Sequence, residues 1–210
     1  DSVNVVLLTG AGKAFSVGGD IDFLDEIVTD TDRAAHGAIK RYVDLMRGMM
    51  DLDKPIIAAI NGPVIGGGSG VALMCDVTFM SDKARILCGG QLNINCTPAE
   101  APFFWPLLMS MAKAKYHLFQ STFIDAHEAE RIGLVSAVVP HDDLMGTARA
   151  YARKLAQRDR TALGYTKRIL NHWLRQNSAI LDFALATEAI TFRRPAVVEG
   201  LKSMRETLKS

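Results

Sequence analysis

Two glycine-centred segments of this chain could do chemistry through the main chain alone. They are Ala14-Phe15-Ser16-Val17-Gly18-Gly19-Asp20 and Ile65-Gly66-Gly67-Gly68-Ser69-Gly70-Val71, and each follows an apolar, strand-like run and precedes a helix-like stretch. Glycine at such a junction accepts unusual φ/ψ values and lets a ligand approach the backbone, while the first amides of the following helix have no partner inside it. Two such turns facing each other would form an oxyanion hole. Amides fixed where a carbonyl oxygen gains negative charge stabilise an enolate without a catalytic side chain. A lone glycine-rich turn would be read as simple packing at a tight junction; two together shift that balance. Gly10-Ala11-Gly12 is a weaker signal, because a dinucleotide fingerprint would need a third glycine and an acidic residue closing a second strand, and both are missing here.

The elements that must position these turns can be read from the apolar runs. Asn4-Val5-Val6-Leu7-Leu8-Thr9 predicts a strand buried on both faces, and Pro55-Ile56-Ile57-Ala58-Ala59-Ile60 a second, closed by the turn Asn61-Gly62-Pro63. Between them, from Ile21 to about Met50, the pattern predicts a short helix, a polar break at Thr29-Asp30-Thr31-Asp32, and a longer helix through Tyr42, Leu45, Met46 and Met49. Val71-Ala72-Leu73-Met74 predicts a helix; Val77-Thr78-Phe79-Met80 and Ala84-Arg85-Ile86-Leu87 predict strands. Phe103 to Met109 feeds another helix, and Asp125-Ala126-His127-Glu128 has the form of a capping box. Gly133 then ends that helix ahead of a strand reaching Pro140. Alternating strands and helices make the class α/β. Beyond Asp142 the texture becomes helical, with expected breaks at Gly164-Tyr165-Thr166-Lys167 and Arg194-Pro195, so the division predicted is a core over 1–140 and a helical subdomain over 141–210.

Composition narrows the function classes. A chain of 210 residues, 49% hydrophobic and 22% charged, can bury one substantial core. A formal net charge of +1 gives no general attraction for nucleic acid or for an anionic membrane, and neither is expected as a partner. Cys75, Cys88 and Cys96 show no paired spacing, and His36, His117, His127, His141 and His172 are scattered, so no metal is expected. Each histidine is read as a surface or capping residue. Reduced thiols, with no membrane span and no leader in the sequence given, predict a cytoplasmic location.

The residues carry a resemblance to a known family. Thr9-Gly10 with Lys13 through Ile21, Lys54 through Gly68 and on to Cys75-Asp76, and Ala129-Glu130-Arg131-Ile132-Gly133-Leu134-Val135 resemble, in order and spacing, the three signatures of the enoyl-CoA hydratase/isomerase (crotonase) superfamily. The resemblance implies a spiral of ββα units with a C-terminal helical trimerisation region, as a homotrimer or dimer of trimers. It implies acyl-CoA thioester substrates and no cofactor. It places the oxyanion donors on the amides of Gly19 and Gly67, with Val17, Gly18, Asp20, Ile65 and Gly66 around the substrate. The chain opens almost directly on a strand, so the first strands of that fold are expected upstream of it.

The chain also departs from the family pattern. Hydratases of the family place one glutamate two residues after the triple glycine and another about twenty residues on; here those positions hold Gly70 and Gly90. Water activation by a carboxylate pair at those positions is therefore not expected. Glu100, in Thr97-Pro98-Ala99-Glu100-Ala101-Pro102, lies where isomerase branches of the family carry a lone proton-shuttling carboxylate; the alternative is a solvated loop glutamate. Asp20 is read as holding its turn or capping the next helix, and Asp25 and Glu26 as solvent-facing. Cys88 could be a nucleophile but has no nearby histidine to activate it, and an inert buried thiol is the default. Phe103, Phe104, Trp105 and Met109 could line an acyl pocket or belong to the core.

Overall fold

The computed structural model describes residues 2–20, 24, 33–87 and 90–209. The short helix expected after Ile21, together with Asp25, Glu26 and Cys88, lies outside them.

In chain order the elements are β1 (Val6–Thr9), α1 (Arg33–Asp51), β2 (Ile56–Ile60), β3 (Val64–Ile65), α2 (Gly67–Leu73), β4 (Val77–Ser81) and β5 (Arg85–Leu87). A 3₁₀ turn (Gly90–Ile94), α3 (Ala101–Leu108), α4 (Met111–Gln120), β6 (Ile124–Asp125), α5 (Ala126–Arg131) and β7 (Ala137–Val139) follow. After a second 3₁₀ turn the chain closes with α6 (Leu144–Ala156), α7 (Arg160–Gln176), α8 (Ser178–Phe192) and α9 (Pro195–Lys209).

Two sheets run side by side. One is parallel throughout, in the order β1-β2-β4-β7, with β2 in register against β1 (Val6 to Ile56) and β4 (Ile57 to Val77). The other has the order β3-β5-β6, with β3 parallel to β5 and β6 antiparallel to it. Successive repeats of the chain each place one strand in each sheet, so that β2 leads to β3 and β4 to β5. The chain is therefore α/β, as expected.

β2 shows why these runs form strands. All five of its residues are buried, with Ile56, Ala58 and Ile60 in the main core and Ile57 and Ala59 in a second cluster under α6. Alternate side chains of a strand point to opposite faces, so a continuous apolar run is what a two-sided sheet requires. On the second face Phe79 of β4 meets Tyr151 of α6 edge-on, at a ring-centroid distance of 5.4 Å. The capping box reads in part as expected: the Asp125 carboxylate accepts the Glu128 N–H at 2.8 Å. The Glu128 side chain, however, pairs with Arg131 instead of returning to the cap. Gly133 takes the left-handed conformation, φ +84, that ends the helix.

The expected break at Gly164-Tyr165-Thr166-Lys167 is not there, because α7 runs unbroken from Arg160 to Gln176. Gly164 instead marks a close approach, where a Cβ would lie 3.0 Å from the Asp53 carbonyl oxygen. The breaks fall before Asp159, whose side chain caps α7, at Asn177, and, as expected, at Arg194-Pro195 between α8 and α9. Lys167, on the same helix, buries its amine against Asp76 at 2.7 Å and the Lys54 carbonyl at 3.1 Å. Asp76 also accepts the Ile56 amide at 2.7 Å, which fixes the start of β2. The Lys167→Met protein is expected to lose about 2–3 kcal/mol in urea unfolding. That is below the ~3–5 of a fully buried pair, because the Asp76 side chain keeps 21% of its exposure against 5% for Lys167. An unchanged urea midpoint would show that the pair does not hold α7 to the sheet.

Candidate functional site

The two glycine turns come together through the main chain. Ser16 forms a parallel β-bridge with Val64, extending the second sheet by one residue. Its carbonyl accepts the Ile65 amide at 2.9 Å, and the Pro63 carbonyl accepts the amides of Phe15 at 3.1 Å and Ser16 at 3.3 Å. The loop leading into the first turn is clamped by Asn61, whose side chain accepts from the Gly10 amide and donates to the Gly12 carbonyl, each at 3.0 Å. Gly10-Ala11-Gly12 is thus a loop tied to the end of β2.

Each turn then pivots on a left-handed glycine, Gly18 at φ +88 and Gly66 at φ +53. At Gly18 a Cβ would lie 2.8 Å from the Ile65 carbonyl oxygen, so glycine is required both by conformation and by the approach of the other turn. Gly68 abuts Ser16 in the same way, with a Cβ position 2.3 Å from Ser16 Oγ. The residue after each pivot is the expected donor, Gly19 in one turn and Gly67, the first residue of α2, in the other. Neither amide donates a hydrogen bond within the described residues.

Gly70, one turn further along α2, explains the departure from the hydratase pattern. A Cβ there would lie 2.1 Å from Tyr42 Oη and 2.6 Å from Glu100 Cγ. The phenol of α1 and the stem of Glu100 fill the space that a side chain at this position would need. Tyr42 Oη also donates to the Gly67 carbonyl at 2.9 Å, which fixes the first turn of α2.

Glu100 is not a solvated loop residue. It is 2% exposed and is the N-cap residue of α3, with its carbonyl accepting the Phe103 amide at 3.0 Å. Pro102 in the first turn of α3 was the sequence signal for this, since proline is well tolerated where helical amides are unpaired. Burial follows because Ala99, Ala101, Phe103 and Trp105 around it are core residues.

A second carboxylate belongs to this region. Glu188 of α8 is held well above the ordinary carboxylate pKa, first by burial and then by the charge of Glu100, while a hydrogen bond with Gln91 acts the other way. Its carbonyl accepts Thr191 Oγ1 at 2.9 Å, and the same hydroxyl accepts the Thr97 amide at 3.0 Å, tying α8 to the segment before Glu100. Nearby Cys96 is inert, its thiol pushed up to about 12 chiefly by burial. Glu188 and Tyr42 are the site residues that the sequence reading missed. The signal for Glu188 was a glutamate on the apolar stripe Leu181, Ala184, Leu185 and Phe192.

The remaining candidates lie around this centre or beneath it. Val17 is 67% exposed beside the first turn, Asp20 is exposed with its carbonyl accepting the Leu24 amide, and Ile65 is part-buried. Phe103 and Trp105 are in the main core. His117 is buried, not a surface residue, and burial holds its pKa below the ordinary value. Among the described residues no group of three or more His, Cys, Asp or Glu side chains gathers as a metal would need. No helix among them is long and apolar enough to cross a membrane.

The family model for enoyl-CoA hydratase/isomerase matches residues 1–210. A putative enoyl-CoA hydratase of Thermus thermophilus is 34% identical over 171 residues, covering 80% of this chain and 66% of its own length. The chain thus spans about two thirds of that relative. The crystal structure of an enoyl-CoA hydratase/isomerase from Mycobacterium paratuberculosis is similar with a TM-score of 0.90 at 31% identity, over 95% of this chain and 80% of that one. A monofunctional enoyl-CoA isomerase from M. smegmatis is 33% identical with a TM-score of 0.64, over 83% and 73% of the two chains. Two glycine turns joined by a parallel bridge, and one family's pattern running the length of the sequence, lead to the same conclusion: the chain belongs to the enoyl-CoA hydratase/isomerase, or crotonase, superfamily.

Proposed function

We propose that this protein is an enzyme that moves a double bond along an acyl-CoA thioester, with Gly19 and Gly67 as the oxyanion hole and Glu100 as the proton carrier. The observation that carries the reading is the position of Glu100, whose Cγ sits 2.6 Å from where a Gly70 side chain would begin, one helical turn from Gly67. In a 3-enoyl-CoA the Glu100 carboxylate takes a proton from Cα, and the C–H electron pair delocalises into a dienolate whose charge rests on the thioester oxygen. The two amides stabilise that charge. Glu100 then returns the proton to Cγ, leaving the double bond between Cα and Cβ. One carboxylate suffices, since the proton that leaves is the proton returned.

Hydration fits less well. The family's first glutamate position is not merely empty here but filled by Tyr42 and Glu100. Gly70→Ala is therefore expected to destabilise the fold by about 1–3 kcal/mol through overpacking, which thermal unfolding would register. An unaltered melting temperature would mean that the contacts around Gly70 are loose.

Turnover assays on the full-length protein separate the readings. Isomerisation of 3-enoyl-CoA well above hydration of 2-enoyl-CoA supports the proposal, and the reverse order overturns it. Release of carbon dioxide from a malonyl-type thioester would instead support decarboxylation, which needs the oxyanion hole but no strong base. Binding of CoA esters with no turnover of any of them would make the chain a non-catalytic homologue.

The exposed Tyr165, Ile169 and Trp173 of α7 and Phe183 and Ile190 of α8 leave apolar faces. We infer that copies of the chain cover them in a trimer or a dimer of trimers, through the helices of 141–210. Sedimentation of the full-length protein as a monomer would contradict this.

A further inference from the structure

We propose that Glu188 is a positioning residue for Glu100: packing of α8 against α3 brings the two carboxyl groups together away from water, where they hold one proton between them. Glu100 then meets the acyl chain as the sole carboxylate of the pair. The inference rests on the reading of Glu100 as the proton carrier and adds a residue from the C-terminal helices to its site.

Glu188 shares the stripe of α8 that buries Leu181, Ala184, Leu185 and Phe192, so its side chain is directed at the body of the molecule. The chain around it is fixed on both sides, by Thr191 bonding the Glu188 carbonyl and the Thr97 amide and by the Cys96 thiol lying within 4.0 Å of the same carbonyl. Glu100 is equally fixed, with its stem against Gly70 and its backbone opening α3. The Glu100 side chain is 2% exposed, and the Glu188 main chain is held in place beside it.

Chemistry then limits the charge. Gln91 Oε1 is buried without a hydrogen-bond partner, so the bond between Gln91 and Glu188 runs from the amide nitrogen to a carboxyl oxygen. That leaves the other Glu188 oxygen for the proton. Two neighbouring buried carboxylates do not both ionise near neutrality, because each charge disfavours the other and burial disfavours both. Glu188 feels the charge of Glu100 and the hydrogen bond of Gln91, and Cys96 beside it stays a thiol. Tyr42, across Gly70 from Glu100, donates its Oη–H to the Gly67 carbonyl. The consequence for the reaction is that Glu188 holds a neutral hydrogen-bond donor beside the base. Ionisation of Glu188 would set a second negative charge near the enolate and oppose its formation.

Infrared titration of the full-length protein, with its Glu188→Gln and Glu100→Gln variants, tests this without relying on turnover. In the wild type, a protonated-carboxyl C=O band should persist above about pH 6, beyond the ~4.3 of an ordinary glutamate. It should vanish in Glu188→Gln, and in Glu100→Gln it should titrate at lower pH, because the charge that raises it is gone. Absence of the band from the wild type above that pH, or its survival in Glu188→Gln, overturns the proposal. The pH dependence of kcat/KM gives a second readout. Its alkaline limb should move up by at least about one pH unit in Glu188→Gln, and an unmoved limb would also contradict the pairing. Should Glu100→Gln retain full turnover, the proton-carrier reading fails, while the infrared titration still reports whether the pair exists.

Discussion

Replacing Glu100 by glutamine is expected to lower kcat for 3-enoyl-CoA isomerisation by about 10²–10⁴-fold, with KM nearly unchanged. The amide keeps the shape and packing of the carboxyl, so its contact with Gly70 and its place at the head of α3 survive. What is lost is the group that accepts the Cα proton, and that interaction exists only in the transition state. A carboxylate that merely packed would show the opposite pattern, with unchanged kcat and lowered stability. Steady-state kinetics beside a thermal melt of the same variant therefore separates proton transfer from structure. Full kcat in Glu100→Gln would remove the residue from the mechanism.

Gly67→Pro is expected to cost about 10²–10³-fold in kcat with every thioester tested, the magnitude typical of losing one oxyanion donor. The substitution suits the backbone, because Gly67 is the first residue of α2 and proline is at home there. The nearest atoms to a Cβ at this position belong to Tyr42, at 3.5 Å, which is ordinary contact. The variant thus removes one N–H while leaving the helix in place, and circular dichroism of the variant checks that it has. Retained activity in a folded Gly67→Pro protein would mean that the Gly67 amide does not bind the thioester oxygen.

Much of this arrangement was legible in the sequence, for physical reasons. The strands of the parallel sheet announce themselves because a strand buried on both faces needs an unbroken apolar run, as Ile56 to Ile60 provides. The glycine turns were legible because Gly18 and Gly66 adopt conformations that other residues rarely take. β3 and β6 were not, being two residues each, held by partners distant in sequence and carrying no local pattern. The reading of Gly164 as a helix break failed because its glycine answers a tertiary demand, the nearness of Asp53. The same holds at the site. Glu100 could be singled out by its neighbours, but its burial depends on the packing around α3, and its meeting with Tyr42 over Gly70 joins three segments far apart in the chain. Asn61 reads as a turn residue, whereas its side chain spans to the first glycine loop.

The most direct measurement is a crystal structure of the full-length protein with a bound enoyl-CoA. The account predicts the thioester oxygen about 3 Å from both the Gly19 and the Gly67 nitrogen atoms, with the Glu100 carboxylate over the acyl α and γ carbons. A thioester oxygen bound elsewhere, with either amide turned away from it, would contradict the account at its centre.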